Sequence, residues 1–421
     1  MGEKLRILFR GWFNIPHSYS MVNCFQIVNL YKRYKDNIEF YVTEMPYYRP
    51  EWNAAKKLVY TEGDNDIIRN FREWSGEPID LIYSITYPYD MNMTILNGVV
   101  IPKCVFYTSE FATLEPHYFT CNEGLNSDQA ITKYIQDNPK LYMTSPSIWS
   151  SLGMKKYNLS DEKNRVITHG VDTDIFKYDS SERVRIRQFY GVSDDDILMI
   201  NIGSMTKNKG MLYILQILNI MVNRLGKTYY KLLLKGTGDL YQSKLFLELY
   251  FEELQNAGAI SRDEMNTLLK SNIIFTDKTL SYKKINDLFN AADLYLSPYL
   301  AEGFNLTSLE ALSAGLPVMI PRTGSTKEYI QDIYSNGGQG HIIYIDSSVM
   351  TGDTGHKQNM IDFEHLFNLV LSSEQRVKEL KTSRGMGTYT QMRTFIEKEY
   401  SWRRVSELLY EYFVYIKETS S

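Results

Sequence analysis

The chain has 421 residues, a length that favours two domains over a single core. A formal net charge of -4, with 43% hydrophobic and 23% charged residues, describes an ordinary globular protein and gives no footprint for nucleic acid or an anionic membrane surface. No apolar run approaches the roughly 20 residues of a membrane span, the start of the chain lacks a secretory apolar stretch, and Cys24, Cys104 and Cys121 form no disulfide or zinc pattern, so a cytoplasmic setting is expected.

Residues 5–9 read as a buried strand, 11–18 as a loop, 20–33 as a helix with Met21, Phe25 and Val28 on its inner side, and 38–42 as a second strand. This is a βαβ unit without the glycine fingerprint of dinucleotide-binding folds. Strands at 79–84, 104–108 and 141–144 alternate with helices at 66–74, 128–137 and 147–155, which implies a parallel sheet covered on both faces. Ligand-contacting residues in such sheets lie beyond the carboxyl ends of strands. Glu110 holds such a place; His17 lies in the loop after the first strand, where a loop histidine with no role is one reading.

A boundary falls near residue 170, within Val166 to Phe176. Asp172-Thr173-Asp174, Asp64-Asn65-Asp66 and Asp194-Asp195-Asp196 match a D-x-D metal pattern. None ends a convincing strand with further oxygen ligands, and no metal site is expected. Beyond the boundary come a helix at 182–190, a strand at 198–202, a loop from Gly203 through Ser204 and Lys209 to Gly210, and a helix to about 225. Lys235 ends a strand at 230–234. Helices at 240–255 and 261–269, a strand at 273–276, the loop Asp277-Lys278-Thr279-Leu280, and a helix at 282–291 capped by Ser281 follow. Residues 318–321 and 342–345 read as strands, 347–358 as a polar surface loop, and the chain from 362 as helices, with 400–416 amphipathic.

Between these elements lies the stretch from Leu294 to Val318, read as strand, glycine-containing loop, helix and stop. Thr307 and Glu310 have the spacing of a capping box, and Leu306, Leu309, Leu312 and Leu316 give the helix an apolar face. The N-terminus of such a helix binds anions, phosphates above all, and Gly303 permits close backbone approach. Glu302 has no structural task in the loop, whereas Glu310 has one in the capping box.

Glu302 and Glu310, with Gly303-Phe304 after the first and Ala311-Leu312-Ser313-Ala314-Gly315-Leu316-Pro317-Val318 after the second, resemble the signature of retaining glycosyltransferases of family 4. The resemblance implies the GT-B fold: two doubly wound Rossmann-like α/β domains facing a cleft. Residues 1–170 would form the acceptor-side domain, with 400–421 crossing back onto it, and residues 171–399 the nucleotide-sugar domain. It places Glu302 at the donor sugar, Gly303, Phe304, Asn305, Leu306 and Thr307 at sugar hydroxyls and diphosphate, and Glu310 at the ribose. Lys209-Gly210 matches the family's diphosphate-gripping Lys-Gly. Ser204 stands where the family has arginine, so Lys235 is the candidate second cation, an ordinary strand-end lysine being the other reading. The loop carrying Lys278 would lie at the nucleotide base, and the resemblance places the loop carrying His17 at the floor of the cleft, within reach of donor or acceptor. The family's catalytic histidine has no counterpart near Glu110, and His117 is only a distant substitute.

The implied activity is metal-independent, retaining hexosyl transfer from a nucleotide diphosphate sugar to a glycan or other hydroxyl acceptor, without a cofactor. GDP-mannose comes first as donor and UDP-sugars next. A nucleotide-sugar epimerase of the same fold and a non-catalytic sugar-nucleotide-binding protein stay open; a glycoside hydrolase would leave the phosphate-binding features idle. The 33 tyrosines suit a sugar surface, but the favoured reading is compositional, with tyrosine filling core and surface sites as in any fold. Nothing in the sequence fixes an oligomeric state.

Overall fold

The structure, a computed structural model, describes residues 3–420. They divide into two units, residues 3–170 with 400–420, and residues 171–399.

The strands of the first unit are β1 (Leu5–Gly11), β2 (Ile38–Glu44), β3 (Arg72–Glu73), β4 (Leu81–Ile85), β5 (Thr94–Leu96), β6 (Val99–Ile101), β7 (Lys103–Phe106), β8 (Leu141–Ser145) and β9 (Asn164–Val166). Seven of them form one parallel sheet in the order β3-β2-β1-β4-β7-β8-β9, while β5 and β6 form a separate hairpin. β4, β7 and β8 are buried along their whole length, the pattern of strands covered on both faces. The order reverses between β1 and β4, and this is the switch point where open α/β sheets leave a crevice beyond their strand ends.

Helix Ser18–Tyr34 crosses from β1 to β2. The C-terminal helix Trp402–Ser420 packs on it: Phe25 stacks on Trp402 at 5.2 Å, Tyr34 on Tyr410 at 4.0 Å, and Arg33 pairs with Glu407 at 2.7 Å. Gly170 is required here, because a Cβ would stand 2.5 Å from the Trp402 amide nitrogen. The helix expected at 66–74 is instead Glu62–Arg69, capped by the Thr61 hydroxyl. The chain then extends as β3, because Arg72 and Glu73 pair with the edge of β2.

The second unit repeats the plan with β10 (Ile197–Ile202), β11 (Tyr230–Lys235), β12 (Ile273–Thr276), β13 (Leu294–Leu296), β14 (Val318–Pro321) and β15 (Ile342–Ile345), in the parallel order β12-β11-β10-β13-β14-β15. The switch point lies between β10 and β13. Asp293, fully buried, anchors the start of β13 by ion pairs to Arg183 and Arg187 at 2.5 and 3.0 Å. The expected capping box at Thr307 is absent, and one is present at Ser261, where both reciprocal bonds with Glu264 form. The expected surface loop at 347–358 is a hairpin of β16 (Ser347–Thr351) and β17 (Lys357–Ile361). Its buried Asn359 ties it inward: the backbone N–H donates to Leu300 O at 2.7 Å and Nδ2 to Tyr299 O at 3.2 Å.

Candidate active site

Two loops meet at the switch point of the second unit, one after β10 and one after β13. The first, residues 203–210, is held by its own polar groups and by the sheet around it. Ser204 Oγ and Thr206 Oγ1 share a hydrogen bond at 3.0 Å, and Thr206 donates to Asn208 Oδ1 at 2.6 Å. Buried Met205 has φ +60, a left-handed conformation that strains a non-glycine residue, and its carbonyl accepts from the Tyr250 hydroxyl at 2.7 Å.

The β13 loop is fastened to this first loop. Asn208 O accepts the Leu300 N–H at 2.7 Å, and Asn208 Nδ2 donates to Ala301 O at 2.8 Å. Gly210, at φ +72, passes so close to Pro298 that a Cβ would lie 2.0 Å from its carbonyl oxygen. This clamping brings two sequence-predicted residues together. Lys209 Nζ donates to Glu302 Oε1 at 2.5 Å, with the two side chains only 19% and 11% exposed.

The helix after this loop is Leu306–Ser313, and its N-cap is Asn305, in the left-handed region at φ +67. Asparagine tolerates that conformation better than most residues because it lacks branching at Cβ and is locally hydrogen-bonded. Asn305 Nδ2 donates to Ser297 Oγ at 3.0 Å, and its carbonyl accepts from the Tyr329 hydroxyl at 3.1 Å. Thr307 therefore lies inside the first turn. Its hydroxyl bonds Asn305 Oδ1 at 3.0 Å and the Tyr295 hydroxyl at 2.6 Å. The ring of Phe304 stacks on Tyr329 at 4.7 Å. Leu306 and Thr307 supply first-turn N–H groups with no acceptor inside their own helix, the feature that makes a helix start an anion site.

Glu310 does not cap. It lies one turn into the helix, buried, and its carboxyl forms no hydrogen bond or ion pair among the described residues. Burial alone pushes its carboxyl up to about 8. A buried carboxyl with no protein partner has no structural role of the kind the capping box would have given it.

Lys235 ends β11 and is buried, its ammonium donating to Gly236 O at 2.6 Å. Burial lowers it to about 8, against the opposing charges of Asp277 and Asp239. Lys278 is exposed on the loop after β12. Among the described residues no group of three or more His, Cys, Asp and Glu side chains gathers to hold a metal.

In the first unit, His17 stands at the start of helix Ser18–Tyr34. It is buried, its Nδ1 accepts the Tyr19 N–H at 3.1 Å as the N-cap of helix Ser18–Tyr34, and burial lowers the imidazole to about 3, so it stays neutral. Glu110 is half-buried after β7, and His117 is exposed beside Glu115. Sequence reasoning missed the supporting residues Asn208, Tyr295 and Tyr329; no spacing marks them, since each acts across many residues of chain.

Residues 196–346 match the family model described as Glycosyl transferases group 1. An uncharacterized glycosyltransferase of Methanocaldococcus jannaschii is 24% identical over 215 residues, which cover 49% of this chain and 50% of that protein. The chain thus spans half the length of this curated relative. Among solved structures, HepE of Anabaena in complex with UDP and glucose is similar with a TM-score of 0.61 at 14% identity, over 97% of this chain and 98% of that one. A glycosyltransferase of Rickettsia africae is similar with a TM-score of 0.62 at 13% identity, over 99% of each chain. The chain therefore has two Rossmann-like units of the GT-B kind, and its second unit carries the glycosyl transferases group 1 segment.

Proposed function

We propose that the protein is a retaining glycosyltransferase that moves a hexosyl group from a nucleotide diphosphate sugar to a hydroxyl acceptor. The observation that carries this reading is the Lys209–Glu302 pair at the switch point, beside the start of helix Leu306–Ser313. A cation and helix-terminal N–H groups suit a leaving diphosphate, and a carboxylate one hydrogen bond away suits a sugar hydroxyl or the positive charge developing at the anomeric carbon.

In this reading the bond from the anomeric carbon to the diphosphate oxygen breaks while the acceptor oxygen bonds to the same face of that carbon. The acceptor proton passes to the departing phosphate oxygen. Lys209 turns from Glu302 toward the diphosphate, and Glu310 receives the two ribose hydroxyls. Lys235 supports the phosphate electrostatically from beyond β11. No divalent metal is required for this division of roles.

GDP-mannose and UDP-hexoses are the donors to test. HepE has been crystallised with UDP and glucose and also with UDP-glucose, which puts a UDP-sugar beside GDP-mannose as a first probe for this chain. Calorimetric titration with UDP-glucose, UDP-galactose, UDP-N-acetylglucosamine and GDP-mannose, followed by nuclear magnetic resonance of the anomeric configuration of the product, tests the reading. Binding of none of these, or an inverted product, overturns it.

A further inference from the structure

Glu302 follows a stretch of chain, Tyr299 to Ala301, that belongs to no strand or helix. Its backbone is nonetheless held at every polar group. Tyr299 O accepts from Asn359 Nδ2 at 3.2 Å, and Leu300 O accepts the Asn359 N–H at 2.7 Å. The Leu300 and Ala301 N–H groups donate to Asn208 O at 2.7 and 3.4 Å, and Ala301 O accepts from Asn208 Nδ2 at 2.8 Å. From the Tyr299 carbonyl to the Ala301 carbonyl no donor or acceptor is left over, and two asparagines distant in the chain supply all the bonds.

Asn208 belongs to the loop that carries Lys209. Asn359 comes from elsewhere: it lies on β17, in the hairpin that leaves the sheet after β15 and falls outside the matched residues 196–346. Strand alternation turns Asn359 and Ile361 inward and Met360 outward. Met360 is 46% exposed and Asn359 is fully buried. A buried amide at an inward strand position costs free energy unless its polar atoms are bonded. Here both are. Oδ1 accepts the Thr323 hydroxyl at 2.8 Å, and Thr323 Oγ1 in turn bonds Ser347 Oγ at 2.7 Å. The Thr323 hydroxyl thereby fixes which way the amide faces, with its oxygen toward Thr323 and its nitrogen toward Tyr299 O.

We propose that Asn359 is a positioning residue for Glu302: by holding the Tyr299 and Leu300 carbonyls, the hairpin sets where the Glu302 carboxylate stands during transfer. This rests on the glycosyltransferase reading and adds to it a residue from outside the family segment. The helix start that follows Glu302 is fastened separately, by Ser297 and Tyr329 on Asn305. Loss of the Asn359 side chain therefore loosens the approach to Glu302 and leaves the first-turn N–H groups in place. A small displacement of a group that acts in the transition state costs rate far more than it costs affinity for the nucleoside diphosphate.

The test uses the full chain and joins amide exchange to kinetics. Exchange read by mass spectrometry over residues 297–306 speeds up in Asn359→Ala. It speeds up less in Thr323→Val, which keeps the side-chain shape and removes only the hydroxyl that orients the amide. With the nucleotide sugar that binds best, kcat falls roughly 10- to 100-fold in Asn359→Ala and about threefold in Thr323→Val. Nucleoside diphosphate affinity stays within about twofold in both variants and shows that they fold. In a Glu302→Gln background, Asn359→Ala lowers kcat by less than about twofold, because the group it positions is already lost. A merely structural asparagine makes the two losses multiply. Unchanged exchange in Asn359→Ala, multiplied losses in the double variant, or an affinity loss as large as the loss in kcat overturns the proposal. Failure of the underlying reading has a different sign: the wild type transfers from no nucleotide sugar, and the assignment falls with it even where exchange in the variants speeds up.

Discussion

Lys209 and Glu302 come from loops 93 residues apart and meet as an ion pair, with most of each side chain withdrawn from water. Lys209 is the lysine counter-charge of Glu302 when no ligand is bound, so removing it leaves a partly buried carboxylate without that partner. The two removals are expected to act differently on ligand affinity. Lys209→Ala loses roughly 2 kcal/mol or more of nucleoside diphosphate affinity, because a desolvated cation is gone. Glu302→Gln keeps that affinity or raises it, because Lys209 is released, while the transfer rate falls roughly 100-fold. Titration and turnover on both variants decide this; equal affinity loss in both contradicts the roles. The same titration on Lys235→Ala reads whether a second cation stands in for the serine at 204.

Glu310 gives a pH dependence. Its folded-state carboxyl is raised to about 8 by burial, above its unfolded value. Its contribution to folding is fully present below the unfolded value and is lost as pH rises toward about 8, since the unfolded chain ionises first. Thermal unfolding of the wild type should therefore show a stability decrement between about pH 5 and about pH 8 that Glu310→Gln lacks. Ribose hydroxyls that donate to this carboxyl favour its ionised form. Nucleotide affinity should then rise with pH over the same interval and binding should release a proton, visible as buffer-dependent calorimetric heats. A Glu310→Gln enzyme with the same pH profile contradicts the assignment.

Gly210 tests the loop clamp. Its φ of +72 and its 2.0 Å approach to Pro298 O both exclude a side chain. Gly210→Ala should cost about 1–3 kcal/mol from the conformation alone, with more from the clash, and should lower donor affinity because Lys209 moves with it. A melting curve and a nucleotide titration check this, and a silent substitution shows that the two loops are not held as described.

Divalent metal should be dispensable. Lys209 and the first-turn N–H groups of helix Leu306–Ser313 are the groups assigned to the diphosphate charge. Transfer should continue in excess EDTA at an unchanged rate. A rate that collapses and returns only with Mn²⁺ or Mg²⁺ assigns that charge to a metal instead.

The alternation of apolar runs with helical periodicity was legible because burial on both faces of a parallel sheet leaves a local imprint, as in Leu81–Ile85 and Val318–Pro321. Serine caps such as Ser281 were legible for the same reason, the bond being to a backbone group three residues on. The stretch from Leu294 to Val318 reads as strand, loop and helix, and the structure has the strand Leu294–Leu296 and the helix Leu306–Ser313 there. What the sequence could not decide is which residue begins that helix. Thr307 had the composition of a cap, but Tyr329, 22 residues further on, holds Asn305 in a left-handed turn, and Tyr295 takes the Thr307 hydroxyl. Only that arrangement removes the capping role from Glu310 and leaves a buried carboxyl without a partner. His17 is the converse case: a residue read as part of a loop becomes a neutral cap once Trp12, Tyr19 and Trp52 close around its ring. The hairpin at 347–361 has a polar sequence because most of β16 faces water, while buried Asn359 on β17 carries the inward bonds. Local sequence fixes periodicity and caps because those bonds span a few residues; pair formation, burial and the gathering of rings at a sheet edge are set by strand order, which brings together residues that share no local pattern.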